Sequence, residues 1–208
     1  MVTLDNVVAV LSSYNGRDKA IRTLYYALVF VADKLRDEKL AAKLLEMAKQ
    51  LSTARLIGRQ FGDIMMWKAN LTHFRTLEKA QDKVAFMLEA CVNLLYQLYH
   101  PVEHIAWLSS VQLLPADPGK WWPRTVKIWA CALVIGITKS ERLNVEKAEK
   151  DELLNLLIQM SDLMNAINFL PSGSLLWAGT FPRWKVGAFG VIASFAGLCK
   201  IYNAMAVR

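Results

Sequence analysis

The chain has 208 residues, 54% of them apolar and 21% charged, with a formal net charge of +7. A mean hydropathy of +0.24 excludes the compositional signature of disorder, and three cysteines exclude a disulfide-stapled scaffold. What remains is a very apolar helical protein or a membrane protein, whose basic excess suits nucleic acid or an anionic bilayer equally on charge alone.

The first five residues, Met1-Val2-Thr3-Leu4-Asp5, lack the basic n-region of a secretory signal. A first helix is expected over about residues 3–13, ending at Asn15-Gly16, with Asn15 capping a second helix over about 17–35. In that second helix Ile21, Leu24, Tyr25, Leu28, Val31, Ala32 and Leu35 recur at helical intervals. A third helix, about 39–60, is the most regular: Leu40, Leu44, Met47, Leu51 and Ala54 step by 4, 3, 4 and 3, laying one apolar stripe along the helix. Lys43 and Lys49 lie off the stripe, whereas Arg55 and Arg59 fall beside Leu44 and Ala48, near the centre or edge of the apolar face. In a protein core each arginine needs a partner; on a bilayer each snorkels to phosphate. Leu40, Lys43, Leu44, Met47, Lys49, Leu51, Arg55 and Arg59 therefore form the candidate membrane-binding set, with packing inside a helical bundle as the competing explanation of the same stripe.

Further along, residues 84–114 are apolar but punctuated by Glu89, Asn93, Gln97, His100 and Glu103, which makes a poor bilayer span. Pro101 marks His100 as an expected helix boundary. The next segment, 121–139, has an unbroken apolar run only from Ile128 to Ile137, about 15 Å of helix against a hydrocarbon core of about 30 Å. It crosses only if Arg124 and Lys127 snorkel and the bilayer thins. Residues 140–183 hold an acidic amphipathic region and a loop at Leu170-Pro171-Ser172-Gly173. The best span is the last: from Val186 to Val207 Lys200 is the single charge, and Gly187, Gly190, Ser194 and Gly197 step by 3, 4 and 3 along one face. Small-residue stripes of this kind let helices approach closely in lipid. The basic residues of 1–75 and the Lys200/Arg208 end place both termini in the cytosol by the positive-inside rule.

Several patterns invite chemical readings. His100-Pro101-Val102-Glu103-His104 fits H-x-x-E-H, in which two histidines bind zinc and the glutamate acts as base; a membrane metalloprotein using His100, Glu103 and His104 is thus an alternative, though no third ligand suggests itself. Cys91, Cys131 and Cys199 form no C-x-x-C pair and read as small apolar residues. Gly16-Arg17-Asp18-Lys19 lacks the spacing of a phosphate-cradling loop. Trp121, Trp122, Trp129, Trp177 and Trp184 sit beside apolar segments and not among exposed basic runs, which favours interfacial anchoring over nucleic-acid binding. No residue set calls for a cofactor, and a soluble helical scaffold is the remaining alternative.

Tyr14-Asn15-Gly16-Arg17-Asp18-Lys19, followed by Arg22, resembles the N-terminal signature of the peroxin-11 family of peroxisomal membrane proteins. Ser52-Thr53-Ala54-Arg55-Leu56-Ile57-Gly58-Arg59 resembles that family's basic helix, and 184–199, with Gly187, Gly190 and Ser194, its C-terminal membrane segment. Tyr25 stands where the first motif has Gln, and 76–170 carries no matching motif. The short inter-span region and the C-terminus look most like the gamma-type branch.

The resemblance implies an all-α integral protein of the peroxisomal membrane that promotes curvature, elongation and division without catalysis. The layout expected is basic amphipathic helices at 1–75, an apolar hairpin or interfacial region at 76–120, a first membrane segment at 121–139, the acidic inter-span region at 140–183 and a C-terminal span at 184–208. The implied partners are an anionic phospholipid bilayer, further copies and paralogues of the family, and the dynamin-related fission GTPase with its membrane adaptors; nucleic acid is not among them.

Overall fold

A computed structural model describes residues 4–147 and 150–206. Among the described residues every regular element is helical: α1 (Leu4–Ser12), α2 (Tyr14–Lys34), α3 (Glu38–Gly58), α4 (Gly62–Phe74), α5 (Lys83–Ser110), α6 (Pro118–Lys147), α7 (Lys150–Asn168) and α8 (Arg183–Ala206), with a single 3-10 turn at Leu77–Lys79. Val207, the end of the expected C-terminal span, and Arg208, the terminal charge, lie outside the described residues, as do Met1, Val2 and Thr3.

The helices sort into two compact units. The first comprises the described parts of Met1–Gly58, Leu153–Asn165 and Phe181–Arg208. Here α8 runs antiparallel along α2, and glycine makes the approach possible. A Cβ built at Gly187 would lie 2.7 Å from the Phe30 backbone, and one at Gly190 would overlap the Tyr26 ring. Ser194, fully buried, turns its hydroxyl back to the Gly190 carbonyl at 2.6 Å. The stripe expected to pack helices in lipid thus faces α2 of the same chain. Helix α3, whose Ala48 is 1% exposed, also packs on α2.

The second unit comprises the described parts of Arg59–Glu152 and Ala166–Thr180. Its centre is the antiparallel pair α5 and α6, held along its length by Arg142 to Asp82 at 2.6 Å, Lys139 to Glu89 at 2.9 Å and the Trp122 indole donating to Ser110 Oγ at 2.9 Å. Between these contacts Ala106, Ala132, Leu133 and Ser140 are buried. Helix α4 packs on α5, with the His73 imidazole stacked on Phe86 at 4.0 Å between centroids.

Three boundaries differ from expectation for local reasons. The cap of α2 is Ser13, whose hydroxyl accepts from the Gly16 amide at 3.0 Å, so Asn15 lies inside the first turn. Helix α5 continues through Pro101 to Ser110, because the burial of Glu103, Ala106 and Ser109 on its far side outweighs the amide that proline removes. Helix α6 runs on to Lys147, past the end expected at residue 139, because its last turns are tied back to α5 through Lys139 and Arg142.

Candidate membrane-facing surfaces

The expected stripe on α3 is only partly available. Leu40 and Met47 are 43% and 49% exposed, and Lys43 and Lys49 face solvent, but Leu44 and Leu51 are half-buried because the packed face is centred on Ala48, about one position round from the stripe. Arg55 turns inward and forms a bidentate pair with Asp18 of α2, at 2.9 and 3.1 Å. Arg59, in the second unit, reaches Glu103 at 2.6 Å. The assignment of Arg55 and Arg59 to lipid phosphates is therefore corrected: each guanidinium pairs with a carboxylate of the protein, Asp18 and Glu103 respectively.

The motif on α2 is the other half of this arrangement. Tyr14 lays its ring against Gly58, 3.6 Å from where a Cβ would stand. Gly16 is buried beneath the Val10 carbonyl, which a Cβ would strike. Asp18 receives Arg55, and Arg22, 5% exposed, makes a bidentate pair with Asp162 of α7 at 2.5 and 3.1 Å. Burial alone disfavours the Arg22 charge, yet Asp162 and Tyr26 more than offset it and hold the guanidinium protonated well above its ordinary range. Lys19 lays its stem on Gly197, and burial, then Arg22, pushes its ammonium down to about 8. Arg17 alone of the motif's charges points to solvent, with long contacts to the Leu11 and Ser12 carbonyls. These residues tie α2 to α3, α7 and α8; they do not form a surface for a ligand.

A stronger apolar surface lies on α4, which spacing alone did not bring out. Phe61, immediately before it, is 76% exposed, and Ile64, Met65 and Trp67 are 74%, 59% and 61% exposed; Leu71 and Phe74 continue the surface. Lys68, Arg75 and Lys79 are exposed around it. The inward face carries the polar residues instead: Asn70 bonds to Gln97 at 3.3 Å and Asp63 pairs with His104 at 3.4 Å. Gly62 sits on the His100 imidazole, 2.7 Å from where a Cβ would be. The usual pattern is inverted on this helix, so the spacing of apolar stripes facing a core does not reveal it, although eight apolar residues in 61–74 are a signal present in the sequence.

The zinc reading of His100, Glu103 and His104 fails on geometry. Glu103, 1% exposed, accepts from Arg59 and from the Tyr99 hydroxyl, both at 2.6 Å, so the residue cast as base is committed to an ion pair. His104 faces Asp63, His100 packs on Gly62, and among the described residues no three His, Cys, Asp or Glu side chains are arranged to hold a metal ion.

Of the two expected membrane segments, α8 qualifies: Arg183–Met205 is the one described helix long and apolar enough to cross a bilayer, with mean hydropathy 1.3. Trp184 and Lys185 stand at its start, and the Lys34 ammonium lies over the Trp184 ring at 4.6 Å. By the same measure the 121–139 part of α6 does not qualify, because Arg124 and Lys127 interrupt it within two turns of the apolar run.

Compared with known proteins, residues 4–143 match the family model described as Peroxisomal biogenesis factor 11 (PEX11). The chain belongs to the PEX11 family. It is 32% identical to the human (Homo sapiens) protein named Peroxisomal membrane protein 11C and 30% identical to the mouse (Mus musculus) protein of that name, in each case across 98% of this chain and 96% of the relative. No solved structure matches it. As a PEX11-family member the chain is a peroxisomal membrane protein involved in peroxisome biogenesis, and, of the signature residues, Tyr14, Gly16, Asp18, Lys19 and Arg22 help to knit its first unit together.

Proposed function

We propose that this PEX11-family protein bends, elongates and helps divide the peroxisomal membrane without a chemical step, using α4 as its principal wedge. The observation that carries the reading is the exposure of Ile64, Met65 and Trp67 beside Lys68 and Arg75. Burying a side chain of this size in an apolar phase is worth about 1.5–3 kcal/mol, and each nearby cation adds about 1 kcal/mol at an anionic surface. Side chains inserted into one leaflet expand it relative to the other and favour positive curvature. On α3, Leu40, Lys43, Met47 and Lys49 add a weaker surface of the same kind. Anchorage comes from α8, and self-association, with copies or paralogues, raises the local density of wedges. The dynamin-related fission GTPase and its membrane adaptors complete division at the tubules so formed.

The test uses the full chain reconstituted into vesicles containing anionic lipid. Wild-type protein is expected to draw the vesicles into tubules, and Ile64→Glu with Trp67→Glu to abolish tubulation while α8 stays inserted and helicity is unchanged. Tubulation by the double variant at the wild-type level removes the wedge from the mechanism. Both termini facing the cytosol requires a second crossing besides α8, which the 121–139 part of α6 supplies only if Arg124 and Lys127 snorkel and the bilayer thins. Protease protection with a tag at each end tests this: removal of both tags supports two crossings, and protection of one means that α8 crosses alone.

A further inference from the structure

The tip of the α5–α6 hairpin, in the second unit, presents an apolar residue where helix ends normally hide one. Gln112 adopts a left-handed conformation, φ 62°, just after α5. Its amide donates to the Ser109 carbonyl at 3.1 Å, and the Leu113 amide to the Leu108 carbonyl at 3.0 Å. These are the two hydrogen bonds of a Schellman helix end, in which the residue at position 113 ordinarily packs back on the one at 108. Here Leu113 is 76% exposed, with Val111 at 48% beside it. The left-handed region strains a residue other than glycine, so the chain adopts an unfavourable backbone conformation and yet leaves Leu113 in solvent.

The residues around the tip indicate what covers it. Between His104 and Ser140 Asp117 is the sole acid, against Lys120, Arg124, Lys127 and Lys139. Asp117 is partly neutralised by Lys120 at 4.0 Å. The Arg124 guanidinium lies over the Trp121 ring at 4.5 Å, and Trp122 anchors its indole N–H on Ser110. Two indoles, one with its N–H engaged and one with a guanidinium over its face, cations beside them and an apolar point ahead of them match the layered chemistry of a bilayer interface: acyl chains for Leu113 and Val111, carbonyl depth for the tryptophans, phosphates for Lys120, Arg124 and Lys127.

We infer that the α5–α6 tip is a lipid-insertion site for anionic bilayers, separate from the α4 wedge: Val111 and Leu113 enter the acyl region while Lys120, Arg124 and Lys127 bind headgroup phosphates. The inference does not depend on α4, because its residues and its cations belong to a different loop.

A cysteine-free full-length chain (Cys91→Ser, Cys131→Ser, Cys199→Ser) carrying Leu113→Cys, labelled with an environment-sensitive fluorophore and reconstituted into vesicles, tests it. Expected are blue-shifted emission, quenching by spin-labelled lipid in preference to aqueous iodide, and stronger lipid quenching with phosphatidylserine than with phosphatidylcholine alone. Lys120→Glu with Arg124→Glu and Lys127→Glu should remove the phosphatidylserine increment. Quenching by iodide alone overturns the proposal, as does shielding from both quenchers, which is what burial against protein produces. Lipid quenching that is equal in the two lipid compositions and indifferent to charge reversal overturns the assignment to anionic lipid. A parallel label at Ile64→Cys reports the α4 wedge by itself, so failure at one position is told apart from failure at the other.

Discussion

Helices α3 and α4 present two versions of amphipathicity. α3 has the regular 4-3-4-3 stripe, yet about half of it is turned inward, Ala48 leads the packed face, and Arg55 is drawn in by Asp18. α4 has apolar residues on both flanks and the outer face, places Asp63, Asn70 and His73 inward, and leaves Ile64, Met65 and Trp67 in solvent. Spacing reports that a helix has two faces, but which face meets protein and which meets lipid depends on what the opposing helix offers. An acidic partner drew in the arginine of α3; the polar row of α5, from Gln97 to His104, drew in the polar face of α4.

The largest effect is expected where the first unit depends on a buried charge pair. Asp162→Ala leaves Arg22 unpaired in a site 5% exposed, a loss of about 3–5 kcal/mol. Arg22→Met with Asp162→Leu removes both charges and should recover most of it, measured by denaturant unfolding of the detergent-solubilised chain. Asp162→Ala within 1 kcal/mol of wild type would mean the pair is not closed in solution, roughly the bound set by an exposed pair.

Next in size is the α2–α8 contact. Gly190→Val drives a branched side chain into the Tyr26 ring, and overpacking of this kind costs about 1–3 kcal/mol. Hydrogen exchange should accelerate in α2 and α8 while α5 and α6 keep their protection. Equal acceleration in both units would show that the two do not unfold separately.

The α4–α5 contact should respond to acid. Burial first, then Arg59 and His104, holds the His100 imidazole below its ordinary range, with Asp63 and Glu103 opposing. The unfolded chain then binds the proton more readily than the folded one, so stability falls as pH drops through the usual imidazole range, about 6.5, towards the lower folded value. Amide exchange in α4 should rise between pH 7 and pH 5.5, and His100→Gln should flatten the rise. An unchanged slope in that variant would place the titration elsewhere.

The smallest effect is expected on α3. Leu40→Glu with Met47→Glu should lower vesicle tubulation by less than the Ile64/Trp67 pair does, because Leu40 and Met47 are 43% and 49% exposed where Ile64 and Trp67 are 74% and 61%. A larger loss than the α4 variant gives would return the principal wedge to α3.

Helicity throughout, the apolar C-terminal helix, its row of small residues and the family itself were all legible in the sequence. Each rests on a local quantity: periodicity over a few turns, summed hydropathy over some twenty residues, or a contiguous motif. The partners of Arg22, Arg55 and Arg59 were not legible, because Asp162, Asp18 and Glu103 lie 140, 37 and 44 positions away and no spacing rule joins them. Nor did local pattern disclose that α5 passes Pro101 intact or that Leu113 stands free at a left-handed helix end. Charge and apolarity are properties of a residue, but whether a cation faces phosphate or carboxylate, and whether a leucine faces protein or lipid, is decided by what the rest of the chain brings against it. That is why the sequence alone determined a helical membrane protein of the PEX11 family, and the tertiary structure decided which of its surfaces remain open.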